Sequence, residues 1–196
     1  MKEFVLTKNL SFTFGNCENC DAMCCNGNYG TVYSQIILEE FERVYKNFPI
    51  LFIFGELGFI KPVVLLTNGK DFCPHLQNNK CTIYEKRPTV CMTYPLSPNL
   101  DNEIYIDLRC PEVNKTRNLI VSKNKITPNF SNEIFNNYQD KYINTHLEFE
   151  NLKKENFEKL FEIKNTSFYK FNLDSNSKYI SLHKKSLINL NNVTNS

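Results

Sequence analysis

The first half of the chain alternates short apolar runs with polar turns. Residues 38–48 place apolar side chains on one face of a helical wheel and charged ones on the other, which predicts an amphipathic helix that Pro49 ends. Runs of aromatic and β-branched residues predict three short strands, at residues 63–67, 80–84 and 103–108. Pro88 is expected in the first turn of a short helix that carries Cys91, where a missing N–H costs nothing.

The second half has a different pattern. Gly and Pro are absent after Pro128, and apolar residues recur at helical spacing over residues 134–147 and again over 152–163. This spacing predicts two amphipathic helices. Two aromatic or β-branched runs, at residues 168–173 and 178–182, flank a turn-forming cluster and predict a terminal hairpin. The last six residues are expected to fray.

These patterns together predict an α+β protein. A small cysteine-rich domain with short strands and helices is expected over residues 1–113, and a mainly helical extension with a possible terminal hairpin over residues 114–196. All six Gly lie at or before Gly69 and all eight Cys at or before Cys110. The chemistry is therefore expected in the first segment.

Composition narrows the use of the cysteines. The 196 residues are 41% hydrophobic and 22% charged, which is close to the average of globular proteins. Eight cysteines in a chain of this length are too dilute for a secreted disulfide scaffold, which exceeds about 8–10% Cys in a much shorter chain. The N-terminal residues lack the long apolar run of a secretion signal, and no apolar stretch is long enough to span a membrane. We therefore expect a cytoplasmic protein, without a membrane partner, whose thiols serve metal binding or redox chemistry.

The formal net charge of +2 gives no reason to expect nucleic-acid binding. That value counts all thiols as neutral, and their ionisation would make the balance negative even with two divalent ions bound. We therefore expect no nucleic-acid partner.

The cysteines fall into two groups. The first group has the spacing C-x2-C-x3-C-C and consists of Cys17, Cys20, Cys24 and Cys25. The second group is widely spaced and consists of Cys73, Cys81, Cys91 and Cys110. Gly and Asn around the first group tolerate the left-handed backbone that a tight metal-binding loop needs. Compartment and spacing together predict that all eight cysteines are metal ligands. Side chains of adjacent residues usually point apart, which predicts that Cys24 and Cys25 serve different centres or that one of them is packed.

The spacing also bears on the kind of centre. A zinc ribbon uses two short-spaced pairs, and only Cys17 and Cys20 form such a pair. Three clustered thiolates completed by a distant fourth resemble the ligand arrangement of ferredoxins, although the spacing matches neither ferredoxin type. We therefore predict that one thiol of the second group completes a centre begun by Cys17, Cys20 and Cys24. Iron, held in an iron-sulfur cluster, is the first candidate and zinc the second.

Other polar residues near the cysteines allow two interpretations. Lys80, Lys86, Arg87 and Arg109 flank the second group and could offset thiolate charge, or could form a solvated face. His75 could be a mixed ligand, although eight thiols make this unnecessary. The remaining histidines, His146 and His183, are expected at the surface.

The cysteine segments carry a family resemblance. C-x2-C-x3-C-C, the run from Cys73 to Leu76, the run from Lys80 to Cys91 and the pair Tyr94-Pro95 resemble the YkgJ-type cysteine-cluster family. The similarity covers about residues 14–112. It implies a zinc- or iron-chelating domain, which is also found in flagellin lysine N-methylases.

Three functions follow from these observations. The first is metal binding, with an iron-sulfur cluster or zinc as cofactor and with a protein partner or substrate left open. The second, implied by the resemblance, is a factor in lysine methylation of a protein such as flagellin. The third is a thiol redox protein that uses Cys17 and Cys20, although the C-x2-C lacks the expected helix and βαβ context. No Ser/His/Asp set, phosphate-binding loop or HExxH pattern indicates an enzyme class.

Overall fold

A computed structural model describes residues 2–17, 20–130 and 133–195, with the Asn129 side chain left out. Its strands are β1 Phe4–Leu6, β2 Ser11–Thr13, β3 Tyr33–Gln35, β4 Ile50–Phe54, β5 Ile60–Leu65, β6 Leu76–Gln77, β7 Lys80–Cys81, β8 Leu96–Pro98, β9 Ile104–Asp107, β10 Leu119–Ser122, β11 Lys125–Ile126, β12 Phe157–Ile163 and β13 Thr166–Phe171. Its α-helices are α1 Phe41–Val44, α2 Thr89–Thr93, α3 Tyr138–Phe149, α4 Lys178–Ser186 and α5 Leu190–Thr194. The predicted α+β class is confirmed.

The largest sheet has five antiparallel strands in the order β12-β13-β4-β5-β3. Strands β4 and β5 are almost continuously apolar because both their faces are covered. Tyr169 of β13 pairs with Phe52 of β4, so strands from the predicted segments 1–113 and 114–196 share one sheet. The predicted strands at residues 63–67 and 103–108 overlap β5 and β9, and α2 follows Pro88 as expected.

The expectation of a mainly helical extension is wrong for residues 119–126 and 152–163. The first stretch forms the β10–β11 pair, and β12 occupies most of the second. A register shift between Lys159 and Phe161 interrupts the alternation in β12, and this irregularity gives the strand the apolar spacing of a helix. Strands β12 and β13 join through Lys164 and Asn165, whose φ angles of 47° and 65° suit a two-residue hairpin turn.

The predicted terminal hairpin of residues 168–173 and 178–182 is wrong, because the hairpin is formed by β12 and β13. Residues 178–186 are helix α4, whose N-terminus is capped by Ser177 Oγ accepting from the Tyr179 N–H at 3.3 Å. Residues 190–194 form α5 rather than fraying, because Val193 is fully buried. The predicted helix over residues 38–48 is confirmed only in part. Leu38–Glu40 form a 3-10 turn, and α1 adds a single α-helical turn.

The core of the five-stranded sheet joins the two halves of the chain. The ring of Phe52 on β4 packs against Phe149, Phe157 and His183, at centroid distances of 5.4, 5.2 and 4.9 Å. His183 is fully buried, which corrects its predicted place at the surface. Its Nε2 accepts from the Phe171 N–H at 3.1 Å, so its Nδ1–H donates to the Ile50 carbonyl at 2.6 Å. Burial lowers the pKa of His183 to about 4 and keeps the ring neutral.

Two small sheets lie beside the cysteine segments. Their strand orders are β1-β9-β8 and β11-β10-β2. Phe12, Phe14, Ile106 and Val121 fill the core that these sheets share with Cys110. No helix in the described ranges is long and apolar enough to cross a membrane.

Candidate metal centre

One antiparallel contact brings the start of the first cysteine group towards the end of the second. Phe14 and Val113 form an isolated bridge, and the Gly15 N–H donates to the Glu112 carbonyl at 3.0 Å. Each step towards Cys17 on one segment is matched by a step towards Cys110 on the other, because antiparallel segments run in opposite directions. This register directs Cys17 and Cys110 to the same end of the contact.

A second antiparallel contact brings the end of the first cysteine group towards the start of the second. Asn26 and Phe72 form an isolated bridge, and the Cys73 N–H donates to the Cys25 carbonyl at 2.8 Å. The segments lie close because residue 27 is Gly: a Cβ there would be 2.6 Å from the Asp71 carbonyl oxygen. The backbone therefore fixes Cys25 beside Cys73.

The hairpin β6–β7 and helix α2 supply the other two cysteines. Leu76 pairs with Cys81, so the hairpin folds Cys81 back towards Cys73. Cys91 lies in α2, which follows directly on Pro88. The imidazole of His75 lies against Phe48, with its Nε2 3.0 Å from the Asn47 carbonyl oxygen. This contact gives His75 a structural role and commits one ring nitrogen.

The thiols gather around Cys24. The Sγ atoms of Cys24 and Cys25 are 3.9 Å apart, so the expectation that these side chains diverge is wrong. The hydrogen bond with Cys25 and burial raise the pKa of Cys24 above its usual range. The electrostatic influence of Cys24 also raises the pKa of four other thiols, those of Cys17, Cys73, Cys91 and Cys110.

Burial is the main cause of the raised thiol pKa values in the second group. It raises the pKa of Cys73 to about 11 and that of Cys110 to about 11, and it raises the pKa of Cys91 further. Neighbouring thiols add to each shift because thiolates repel one another. A cation bound among them would remove that repulsion and displace the protons. The donor set therefore suits a thiolate-bound metal.

The thiols are near one another but are not in ligating geometry. Within the described ranges, no group of three or more His, Cys, Asp or Glu side chains is arranged to hold a metal ion. Glu18 and Asn19, between Cys17 and Cys20, lie outside those ranges. The crossover of a distant thiol to Cys17, Cys20 and Cys24 stays a prediction, which the contact between Phe14 and Val113 favours.

Arg87 and Lys2 are among the cations that lie close to the thiols. The guanidinium of Arg87 lies 3.5 Å from the Tyr84 ring centroid and lowers the pKa of Cys17 and Cys91 against the stronger effect of burial. Burial lowers the pKa of Lys2, and the nearby Asp107 carboxylate opposes that shift, as do Cys24, Cys91 and Cys110 to a smaller extent. Lys2 is far from every cysteine motif in the sequence, and sequence reasoning missed it.

A buried carboxylate positions the helix that carries Cys91. Glu40, which is only 4% exposed, accepts from the Thr89 N–H through Oε1 at 2.9 Å and from Arg43 through the same oxygen at 3.2 Å. Its Oε2 accepts from the Ile37 N–H at 3.3 Å. Arg43 also donates to the Thr89 hydroxyl. No pattern in the sequence connects Glu40 with Thr89, because the two residues are 49 positions apart.

We expect Glu40→Gln to destabilise the protein by about 1.5–3 kcal/mol, the usual range for hydrogen bonds to charged groups. Urea unfolding measures this loss, and amide exchange should rise at Thr89 and Cys91. Glu39→Gln is the matched control because Glu39 is exposed. Equal unfolding midpoints for the two variants would show that Glu40 does not hold α2.

The fold and the site together define a class: an α+β protein in which thiols from two separate segments converge as candidate metal ligands. Residues 16–111 match the family CxxCxxCC, described as "Putative zinc- or iron-chelating domain". This match over about half of the chain confirms the resemblance seen in the sequence. No solved structure matches the chain.

Proposed function

We propose that the protein chelates iron or zinc through two sets of four thiolates. The first set is Cys17, Cys20, Cys24 and Cys110, and the second is Cys25, Cys73, Cys81 and Cys91. The observation that carries the proposal is the pair of antiparallel contacts, one directing Cys17 towards Cys110 and the other fixing Cys25 beside Cys73. Each contact joins a cysteine of the first group to one of the second.

Electrostatic coupling supports this division except at Cys24, which couples to members of both sets. The pKa of Cys110 responds to Cys20 and Cys24, whereas the pKa of Cys91 responds most strongly, among its neighbours, to Cys73. Cys24 influences both sets and lies against Cys25, so the two centres would be adjacent. The match to a zinc- or iron-chelating family supports metal binding itself.

The arrangement of the first set favours an iron-sulfur cluster. Three of its thiols lie close together in the sequence and the fourth comes from far along the chain, as in ferredoxins. Four thiolates also suit a tetrahedral zinc ion, with Zn–S distances of about 2.3 Å. Zinc is therefore the alternative that the experiment must distinguish.

The test is anaerobic purification followed by metal analysis, acid-labile sulfide analysis and a visible spectrum. We expect to find iron together with acid-labile sulfide. Zinc without sulfide would show that the centres are mononuclear zinc sites and not an iron-sulfur cluster. Cys110→Ser should remove the first centre only, Cys25→Ser the second only, and the double variant both. Equal losses in the single variants with no further loss in the double variant would show one centre. A metal-free protein under all conditions would refute chelation.

The two alternative functions have their own tests. A redox-active thiol needs a lowered pKa, whereas desolvation and the neighbouring thiols raise that of Cys17. Measured insulin reduction that is lost in Cys17→Ser would revive the redox hypothesis. Methylation stays a prediction of the family resemblance, and methyl transfer to added flagellin from a radiolabelled donor tests it.

A further inference from the structure

A small pocket opens beside Cys24. Its walls come from separate parts of the chain and include Lys2, Cys24, Tyr94, Asp107 and Arg109. Cys24 is thus both a member of the thiol cluster and part of a cavity wall. A ligand in this pocket would lie directly against a proposed metal centre.

Strand pairing places Lys2 at the pocket. β1 pairs with β9, and next to that pair the Leu108 N–H donates to the Glu3 carbonyl at 2.9 Å. The Lys2 ammonium lies 5.0 Å from the ring centroid of Tyr94 and donates to the Thr31 hydroxyl. These contacts hold a positive charge at the cavity wall.

The acidic residue in the pocket, Asp107, already accepts hydrogen bonds through both carboxylate oxygens. Asp107 is fully buried, and its Oδ1 accepts from the N–H groups of Glu3 and Arg109 at 2.9 and 3.0 Å. Its Oδ2 accepts from the Tyr94 hydroxyl at 3.0 Å. These three bonds stabilise the carboxylate, and its charge in turn favours the protonated form of Lys2.

Arg109 adds a second cation. Its backbone N–H bonds to Asp107, but its exposed guanidinium forms no ion pair with any residue in the described ranges. A guanidinium presents several N–H donors in a planar fork that matches a carboxylate or phosphate group. The pocket therefore combines a half-buried ammonium, a guanidinium without an ion pair in the described ranges, and a carboxylate that already accepts three hydrogen bonds.

We propose that this pocket binds a small oxyanion, a carboxylate or phosphate group, between Lys2 and Arg109 and next to Cys24. The proposal rests on the proposed function in one respect, because Cys24 at the cavity wall is a member of the first proposed thiolate set. It goes beyond chelation by giving the metal centre an adjacent ligand site.

The experiment titrates the metal-loaded protein with acetate in one arm and inorganic phosphate in the other, by calorimetry at low salt. Lys2→Met and Arg109→Gln should each weaken binding of the favoured anion at least tenfold. Lys8→Met and Arg117→Gln are matched controls, since both residues are exposed and outside the pocket, and each should change affinity less than twofold. Metal content is measured on every sample.

Each outcome decides the proposal. Binding that is lost in the two pocket variants and kept in the controls supports the proposed oxyanion site. The anion that binds more tightly, acetate or phosphate, identifies the chemical group that the pocket favours. Equal binding in all variants, or no binding to a fully loaded protein, overturns the pocket and leaves metal chelation standing. If no variant takes up metal, chelation fails, and the same comparison on the metal-free protein decides the pocket separately.

Discussion

Removal of the bound metal will increase amide hydrogen exchange in residues 20–30 and 69–92 while the five-stranded sheet stays protected. Apart from Ala22 and Pro88, no apolar side chain in these two segments is buried. Their order therefore depends on other interactions, and a structural metal contributes on the order of 10 kcal/mol of apparent free energy. Exchange measured by mass spectrometry before and after chelation tests this expectation.

The control for this experiment lies within the same molecule. Strands β4, β5 and β13 carry the main core and should exchange equally slowly in both states. Verified metal removal that leaves residues 20–30 and 69–92 unchanged would show that the metal is not part of their stability. Loss of protection throughout the sheet would show that the metal supports the whole fold.

Phe52→Ala will lower the free energy of unfolding by about 3–5 kcal/mol, the usual cost of removing a buried aromatic ring. The ring is fully buried, and its contacts with Phe149, Phe157 and His183 tie β4 to three elements of the second half. The loss should therefore destabilise both halves in a single transition, which urea unfolding followed by circular dichroism measures.

Ile188→Ala is the matched control, since Ile188 is 82% exposed and should change stability by less than about 0.5 kcal/mol. Two separate unfolding transitions of the Phe52→Ala variant would contradict the shared core. The second half would then fold independently.

The local sequence was enough to predict elements whose signals were strong. Proline fixes the start of α2, and β-branched runs mark β5 and β9. The local sequence gives a wrong prediction at β12, where the irregularity between Lys159 and Phe161 produces an apolar spacing like that of a helix. Residues 178–182 were also assigned wrongly, because the Ser177 cap and the buried Ile180 and His183 outweighed a short β-like run.

The candidate ligands could be recognised from the sequence because cysteine spacing and the family resemblance are properties of the chain itself. The sequence could not show which cysteines approach each other. That depends on backbone pairings such as those of Phe14 with Val113 and of Asn26 with Phe72. Lys2 and Glu40 reach the site only through pairing of β1 with β9 and through packing of Glu40 against α2. Short-range pattern identifies the candidate donor atoms, whereas long-range backbone pairing brings their segments together and places the charges around them.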